Sequence, residues 1–154
     1  MEMSIIRADI SDMKTVKYIT TETINSIYPH YYPEGAVDFF LGHHNDKNIE
    51  NDIRVGIVYL CFDNENNAVG TVTVKENEIC RLFVLPEYQG NGYGKELISF
   101  AENKISEKYN EIILHASLPA KAIYLKRGYK EIEFHSIKTE NGDYLCYAIG
   151  RNCD

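Results

Sequence analysis

The chain has 154 residues, 44% of them hydrophobic and 25% charged, which is typical of one globular domain with its own core. Its formal net charge of -7 excludes a sequence-independent nucleic-acid binder, because such a protein needs clustered Lys and Arg to neutralise phosphates. The sequence contains no run of about 18 apolar residues, the length needed to span a membrane, and the N-terminus lacks the pattern of a signal peptide. We therefore expect a single cytoplasmic domain over residues 1–154, with no membrane or nucleic-acid partner.

The chain opens with a predicted strand and helix. Residues 4–8, SIIRA, have the composition of a short strand. Asp9 or Ser11 can then cap a helix over about 12–28, which Pro29 ends because proline cannot continue a helix.

A second, shorter helix is expected next. Turn-forming residues at 33–35 precede apolar residues at helical spacing within 37–41. His43 and His44 close this helix, and we expect both to be solvated.

After residue 54 the pattern changes to that of strands. Residues 55–62 and 68–75 are rich in β-branched side chains and flank the turn DNENN, which predicts a β-hairpin. The run EICRLFVL, 78–85, is almost continuously apolar, which is typical of a strand covered on both faces at the middle of a sheet.

A glycine loop and a helix follow, and a further strand completes a βαβ unit. Pro86 ends the strand at 78–85, and the loop YQGNGYGKE leads into a helix. One face of that helix carries Leu97, Ile98, Ala101 and Ile105. EIILHAS, 111–117, predicts a buried strand parallel to 78–85, because a helical crossover joins parallel neighbours.

The chain ends with a predicted helix and hairpin. LPAKAIYLKRG is a helix pattern that stops at Gly128, where a left-handed C-cap is usual. Residues 129–151 then form a hairpin around the turn Glu140-Asn141-Gly142.

The cysteines indicate reduced thiols and no bound metal. Cys61, Cys80, Cys146 and Cys153 form no CxxC pair and have no His at the spacing of a zinc site.

The alternating glycines of the loop directly precede a helix whose first N–H groups lack intrahelical partners, so this segment can bind a phosphate. A P-loop would need Gly at 89 and Ser or Thr at 96, but the chain has Gln89 and Glu96. A dinucleotide fingerprint would need Gly or Ala where Lys95 stands. A tight turn without a ligand is the remaining alternative.

QGNGYG is similar to the Q/R-x-x-G-x-G/A loop of the GNAT acetyltransferase superfamily, with Gln89, Gly92 and Gly94 at the motif positions. Downstream, SLPAKAIYLKRGYKEI resembles that family's N-x-x-A-x-x-x-Y-x-x-x-G-F block. The matching positions are Ala120, Tyr124, Gly128 and Tyr129. Ser117 stands where the family usually has Asn, and its shorter side chain reduces its reach toward a pantetheine arm.

The resemblance implies a mixed α/β fold: a mostly antiparallel central sheet with one parallel strand pair, flanked by helices. It also implies an N-acetyltransferase that moves acetyl from acetyl-CoA, its cosubstrate, to an amine of a small molecule or protein by direct transfer. Homodimers occur in many members. The implied coenzyme-binding residues are Leu82, Phe83, Val84, Gln89, Gly90, Asn91, Gly92, Tyr93, Gly94, Lys95, Ser117 and Tyr124.

Two residues are implied to be catalytic. Tyr124 matches a tyrosine that lies near the coenzyme sulfur in many members, and a phenol can protonate a departing thiolate. Glu78, at the start of the central strand, matches a glutamate that serves some members as general base, directly or through water.

The resemblance implies that the two early helices wall the acceptor site, and we expect these helices to carry Tyr28, His30, Tyr31, Tyr32, His43 and His44. An acyl-cysteine route through Cys80 lacks an evident His partner, so we expect Cys80 to fill the sheet interior with Val72, Val74, Leu114 and Ala116.

Two functions other than N-acetyl transfer remain as alternatives. One is a catalytically silent acyl-CoA sensor on the same fold, which the serine at 117 would suit. The other is an unrelated nucleotide-binding protein that uses the loop as a phosphate site.

Overall fold

The structure is a computed structural model that describes residues 2–114, 123–130, 135–138, 144–147 and 149–152. The helices are α1 (Met13–Ile27), α2 (Glu34–His43), α3 (Asp46–Arg54) and α4 (Tyr93–Ser106), with a further helical segment at 123–126. The strands are β1 (Met3–Arg7), β2 (Val58–Asp63), β3 (Ala68–Lys75), β4 (Glu78–Val84), β5 (Glu111–Leu114), β6 (His135–Lys138), β7 (Tyr144–Tyr147) and β8 (Ile149–Asn152).

Six strands form one sheet in the order β1-β2-β3-β4-β5-β8. Strands β4 and β5 are parallel, and every other neighbouring pair is antiparallel. The predicted fold class, a mixed α/β fold with one parallel pair in a mostly antiparallel sheet, is therefore confirmed. The predicted final hairpin is present as the separate pair β6-β7, whereas the pairing of β8 with β5 was not predicted.

Each face of the sheet packs against helices, because successive residues of a strand point to opposite faces. Tyr59 and Cys61 belong to the core under α4, while Val58 and Leu60 belong to the core under the first three helices. The apolar face of α4 is buried as predicted, at Leu97, Ile98, Ala101 and Ile105. Burial of each large aliphatic side chain contributes about 1.5–3 kcal/mol, so the two cores fix the sheet between its helices.

Helix α3 was not predicted, because residues 30–53 were assigned one helix only. The Asn45 side chain caps α3 by accepting a hydrogen bond from the N–H of Asn48 at 2.9 Å. Ile49 and Ile53, one turn apart, are both buried. The predicted start of the hairpin was also too early: Gly56 has φ +79°, and β2 begins only at Val58.

At the N-terminal end of α1, Asp9 caps a short 3-10 turn at Ile10–Asp12 rather than α1 itself. Among the described residues, no helix is long and apolar enough to cross a membrane. Residues 115–122, which include Ala116 and Ser117, lie outside the described residues, and so does the predicted turn at 140–142.

Candidate active site

Strand β4 contains a bulge. Thr73 pairs with Cys80 but Thr71 pairs with Phe83, so β4 has one residue more than β3 between these pairs. Arg81, within the bulge, has φ +44°, a backbone conformation that residues other than glycine seldom adopt. Because a bulge bends its strand, the second half of β4 is directed differently from the first half.

The side chain of Arg81 holds the bulge to three other elements. It is buried and donates hydrogen bonds to Asp52 of α3 at 2.9 Å and to Thr73 of β3 at 3.0 Å. Its Nε donates to Nδ1 of His44, just beyond α2, at 3.4 Å. Such positive φ values at non-glycine residues occur at functional sites where surrounding contacts hold them.

The bulge follows the described pairs of β4 with β5. In the described residues, the two strands pair only at Glu78 with Ile113 and at Ile79 with Leu114. Past this point a cavity of about 630 Å³ lies between the second half of β4, the glycine loop, α1 and the segment 123–130. Ten of the twelve predicted coenzyme residues line it: Leu82, Phe83, Val84, Gln89, Gly90, Gly92, Tyr93, Gly94, Lys95 and Tyr124.

The glycine loop lines this cavity. Gly90 and Gly92 have φ +82° and +91°, values that favour glycine because it has no Cβ. Gly92 is the N-cap of α4 and offers no side chain to the helix end. The first N–H groups of α4 therefore stay available to a ligand, and a helix N-terminus of this kind binds anions.

Gln89 and Asn91 brace the loop. The side-chain amide of Gln89 donates to the carbonyl oxygen of Val84 at 2.9 Å, and that of Asn91 donates to the carbonyl oxygen of Tyr88 at 3.0 Å. Asn91 is not among the residues that line the cavity. Its side chain supports the loop conformation from outside.

Tyr124 also lines the cavity. It is 6% exposed, and its phenol has no hydrogen-bond partner among the residues that the structure describes. Burial raises the pKa of Tyr124 above its ordinary value, with a further contribution from Tyr28 and Glu102. Since buried hydroxyl groups are nearly always hydrogen-bonded, this phenol is suited to a partner atom of a ligand.

Glu78 lies at the far end of β4. It is half-buried, and its Oε2 accepts a hydrogen bond from the thiol of Cys80 at 2.9 Å. On β3, the partners of Glu78 and Phe83 lie four residues apart, so at about 3.3 Å per residue Glu78 is roughly 13 Å along the sheet from Phe83. Glu78 does not line the cavity that contains Tyr124.

Cys80 is half-buried rather than part of the closed interior. Val72 and Leu114 are buried as expected, and Val74 is partly buried. Burial is the main cause that raises the pKa of the Cys80 thiol, and the hydrogen bond to Glu78 raises it further. The thiol therefore stays protonated at neutral pH, which does not favour nucleophilic attack by a thiolate.

The aromatic residues of the early helices divide into two groups. Tyr28 and Tyr31 line the cavity, whereas Tyr32 is buried against Phe40 with ring centroids 5.1 Å apart. His30 is exposed.

His43 is exposed, as expected for a helix end, but the same expectation for His44 was wrong. His44 is half-buried, with its ring edge-on to Phe83 at a centroid distance of 5.7 Å. Burial, together with the positive charge of Arg81, lowers the pKa of His44 to about 3. His44 is thus a neutral acceptor for Arg81.

Several cavity residues were not predicted from sequence. They are Thr23, Ile27, Tyr88, Ile98, Ile123, Lys126 and Arg127. Thr23 and Ile27, four residues apart on α1, share a helix face, but that spacing alone does not distinguish a cavity wall from core. Within the described part of the chain, the charged lining residues are Lys95, Lys126 and Arg127. Arg127 is paired with Glu102, so the two lysines are the cations suited to phosphate groups.

Comparison with known proteins supports this picture. A family model described as an acetyltransferase (GNAT) domain matches residues 27–142, about three quarters of the chain. No curated protein matches the chain.

Three solved structures illustrate the structural likeness. A protein from Rhodopseudomonas palustris described as a GCN5-related N-acetyltransferase has a TM-score of 0.85 at 18% identity, over 99% of this chain and 98% of its own. PaiA N-acetyltransferase from Thermoplasma acidophilum, in complex with coenzyme A, has a TM-score of 0.74 at 20% identity, over 99% of both chains. An N-acetyltransferase from Staphylococcus aureus Mu50 has a TM-score of 0.76 at 17% identity, also over 99% of both chains.

Identities this low show a shared fold and nothing finer, but the family model rests on the sequence itself and covers most of its length. With the predicted loop and Tyr124 lining one cavity next to β4 of the parallel strand pair, the chain belongs to the GNAT acetyltransferase family.

Proposed function

We propose that this protein is an N-acetyltransferase that uses acetyl-CoA to acetylate a primary amine of a small molecule or a protein by direct transfer. One observation carries the proposal. The buried phenol of Tyr124, which lacks a hydrogen-bond partner among the described residues, lies in the same cavity as the uncapped N-terminus of α4. An acid and an anion site in one cavity suit a thioester with a phosphate-bearing arm.

The residues present fit coenzyme A. The first N–H groups of α4, at Tyr93, Gly94 and Lys95, would bind the pyrophosphate, because the helix dipole also favours an anion there. Lys95 and Lys126 would add positive charge near the phosphates. Residues 82–84 of β4 would lie along the pantetheine arm, whose amides can pair with a strand backbone.

When bound, acetyl-CoA supplies an activated thioester. In the transfer, the amine nitrogen bonds to the carbonyl carbon and the carbon–sulfur bond breaks. The nitrogen loses one proton, and Tyr124 donates one to the sulfur. Because its pKa is raised by burial, Tyr124 remains protonated at neutral pH and can serve as the donor.

Glu78 remains our candidate for the base. Because it does not line the described cavity, it would take the proton of the amine through water rather than directly. Its hydrogen bond with Cys80 orients the carboxylate on β4.

The test is to mix the protein with acetyl-CoA and a panel of amines while following the release of free thiol. We expect release with at least one amine and none without protein. Tight acetyl-CoA binding without release from any acceptor would favour a silent sensor. Binding of ATP or NAD with no response to coenzyme A would overturn the proposal.

A further inference from the structure

Glu102, on α4, is an acidic residue only 7% exposed. Its Oε2 accepts a hydrogen bond from the phenol of Tyr129 at 2.9 Å. It also pairs with the guanidinium of Arg127, which in addition donates to Ser99 of α4 at 3.2 Å. Helix α4 is therefore bonded to two residues that directly follow the segment carrying Tyr124.

Those same two residues hold Tyr124. The carbonyl oxygen of Tyr124 accepts hydrogen bonds from the N–H groups of Arg127 at 3.0 Å and Tyr129 at 3.2 Å. Gly128, between them, has φ +92°, which turns the chain back at the helix end. The ring of Tyr129 also packs edge-on against the ring of Tyr124, with centroids 5.4 Å apart.

Helix α4 thus contributes to the site in two ways. Its N-terminus forms the anion site, and its Glu102, two turns further along, anchors the contacts around Tyr124. A phenol anchored in this way keeps a constant position relative to the phosphate site. This matters because a displacement of about 1 Å at a reacting group can cost about 100-fold in rate.

We propose that Glu102 is a positioning residue. Through Tyr129 and Arg127 it holds the phenol of Tyr124 at a fixed position relative to the coenzyme-binding end of α4. The proposal rests on the proposed acetyltransferase function. The contact is made by a tyrosine hydroxyl at a position where the family block has phenylalanine, so this bond belongs to the chain's own residues.

Tyr129→Phe tests the proposal most cleanly, because it removes one hydroxyl and keeps the ring against Tyr124. We expect kcat to fall roughly tenfold, the cost of a displacement smaller than 1 Å, while KM for acetyl-CoA stays within about twofold because the helix N-terminus is untouched. Glu102→Gln should have the same effect, and the double variant should be no worse than the more impaired single variant. Tyr18→Phe and Glu107→Gln, both at exposed positions, are the matched controls and should leave kcat unchanged.

To distinguish a positioning role of Tyr129 from a merely structural one, Tyr129→Phe is also introduced into the Tyr124→Phe variant. If Tyr129 acts through the Tyr124 hydroxyl, adding Tyr129→Phe to Tyr124→Phe should lower kcat no further. An equal loss in both backgrounds would overturn the proposal, as would an unchanged kcat in both single variants of an active enzyme. If Glu102→Gln fails to fold, Tyr129→Phe still provides the test. A wild-type protein that releases no thiol with any amine would overturn the acetyltransferase function first, and this proposal with it.

Discussion

Two residues of the cavity show how local conformation serves a ligand. Gly92 adopts φ +91° and caps α4 without a side chain, so the helix end stays open. Tyr124 is buried, yet its phenol has no partner among the described residues. Both features are costly in a site without a ligand, since open helix ends and buried hydroxyl groups normally find hydrogen-bond partners.

Tyr124→Phe should reduce kcat by about 100-fold or more, the range expected for loss of a general acid, with little change in KM for acetyl-CoA. Because the pKa of Tyr124 is raised above its ordinary value, its deprotonation should cause no loss of activity between pH 6 and 9. Steady-state kinetics of both proteins across that pH range check this. Equal kcat values in the two proteins would remove Tyr124 from the acid role.

At the scale of elements, the bulge in β4 directly precedes the residues of that strand that line the cavity. Arg81 joins it to α3, to β3 and to the residue after α2 through Asp52, Thr73 and His44. Removing one partner of a buried ion pair leaves the other charge uncompensated. The cluster therefore couples the helices on one face of the sheet to the direction of β4 at the cavity.

His44 should make the stability of the protein depend on pH. Its pKa is lowered from an ordinary 6.5 to about 3 in the folded chain, so below pH 6.5 the unfolded chain binds a proton that the folded chain does not. Folding stability is lost as pH falls, and the loss between pH 7 and 5 from this residue should be about 2 kcal/mol. Urea unfolding of wild type and His44→Gln at both pH values measures it.

In that comparison, His44→Gln should lose about 2 kcal/mol less than wild type on going from pH 7 to 5. His30→Gln, at an exposed position, is the matched control and should follow the wild type. The same pH dependence in all three proteins would show that His44 is not kept neutral by its surroundings.

At the scale of the whole molecule, the cavity joins segments far apart in the chain: the end of α1, the second half of β4, the start of α4 and the segment around Tyr124. A ligand that contacts all of them binds the folded chain only. Binding of the proposed coenzyme would therefore be linked to global stability.

Acetyl-CoA at about 100 times its Kd should increase the free energy of unfolding by about 2.7 kcal/mol, measured by denaturant unfolding with and without the coenzyme. Gly92→Val should lose most of this increase, because its side chain would be strained at φ +91° and would block the amides. Since the substitution also changes stability by itself, each variant is compared with its own ligand-free form. A full increase in Gly92→Val would refute the role of the loop amides.

The sequence predictions succeeded where the determining interactions are between neighbours in the chain, and failed where they join distant elements. The strand, glycine loop, helix and strand around residues 78–114 were predicted because hydrophobic period and glycine spacing are local signals. Helix α3 was not, since its buried face consists of Ile49 and Ile53, too few positions for a clear period. The bulge at Arg81 left no local signal, because arginine does not favour a positive φ and is held there by partners from other elements.

By itself, the sequence determined the glycine loop, the helix that follows it and the block around Tyr124, since glycine freedom, helix ends and capping depend on neighbours in the chain. Only the tertiary structure decided which side chains meet. It separated Glu78 from the described cavity, made His44 a half-buried partner of Arg81, and joined Glu102 to Tyr129, 27 residues away. Such contacts depend on strand register, on the bend in β4 and on helix packing, and no short stretch of residues encodes any of these.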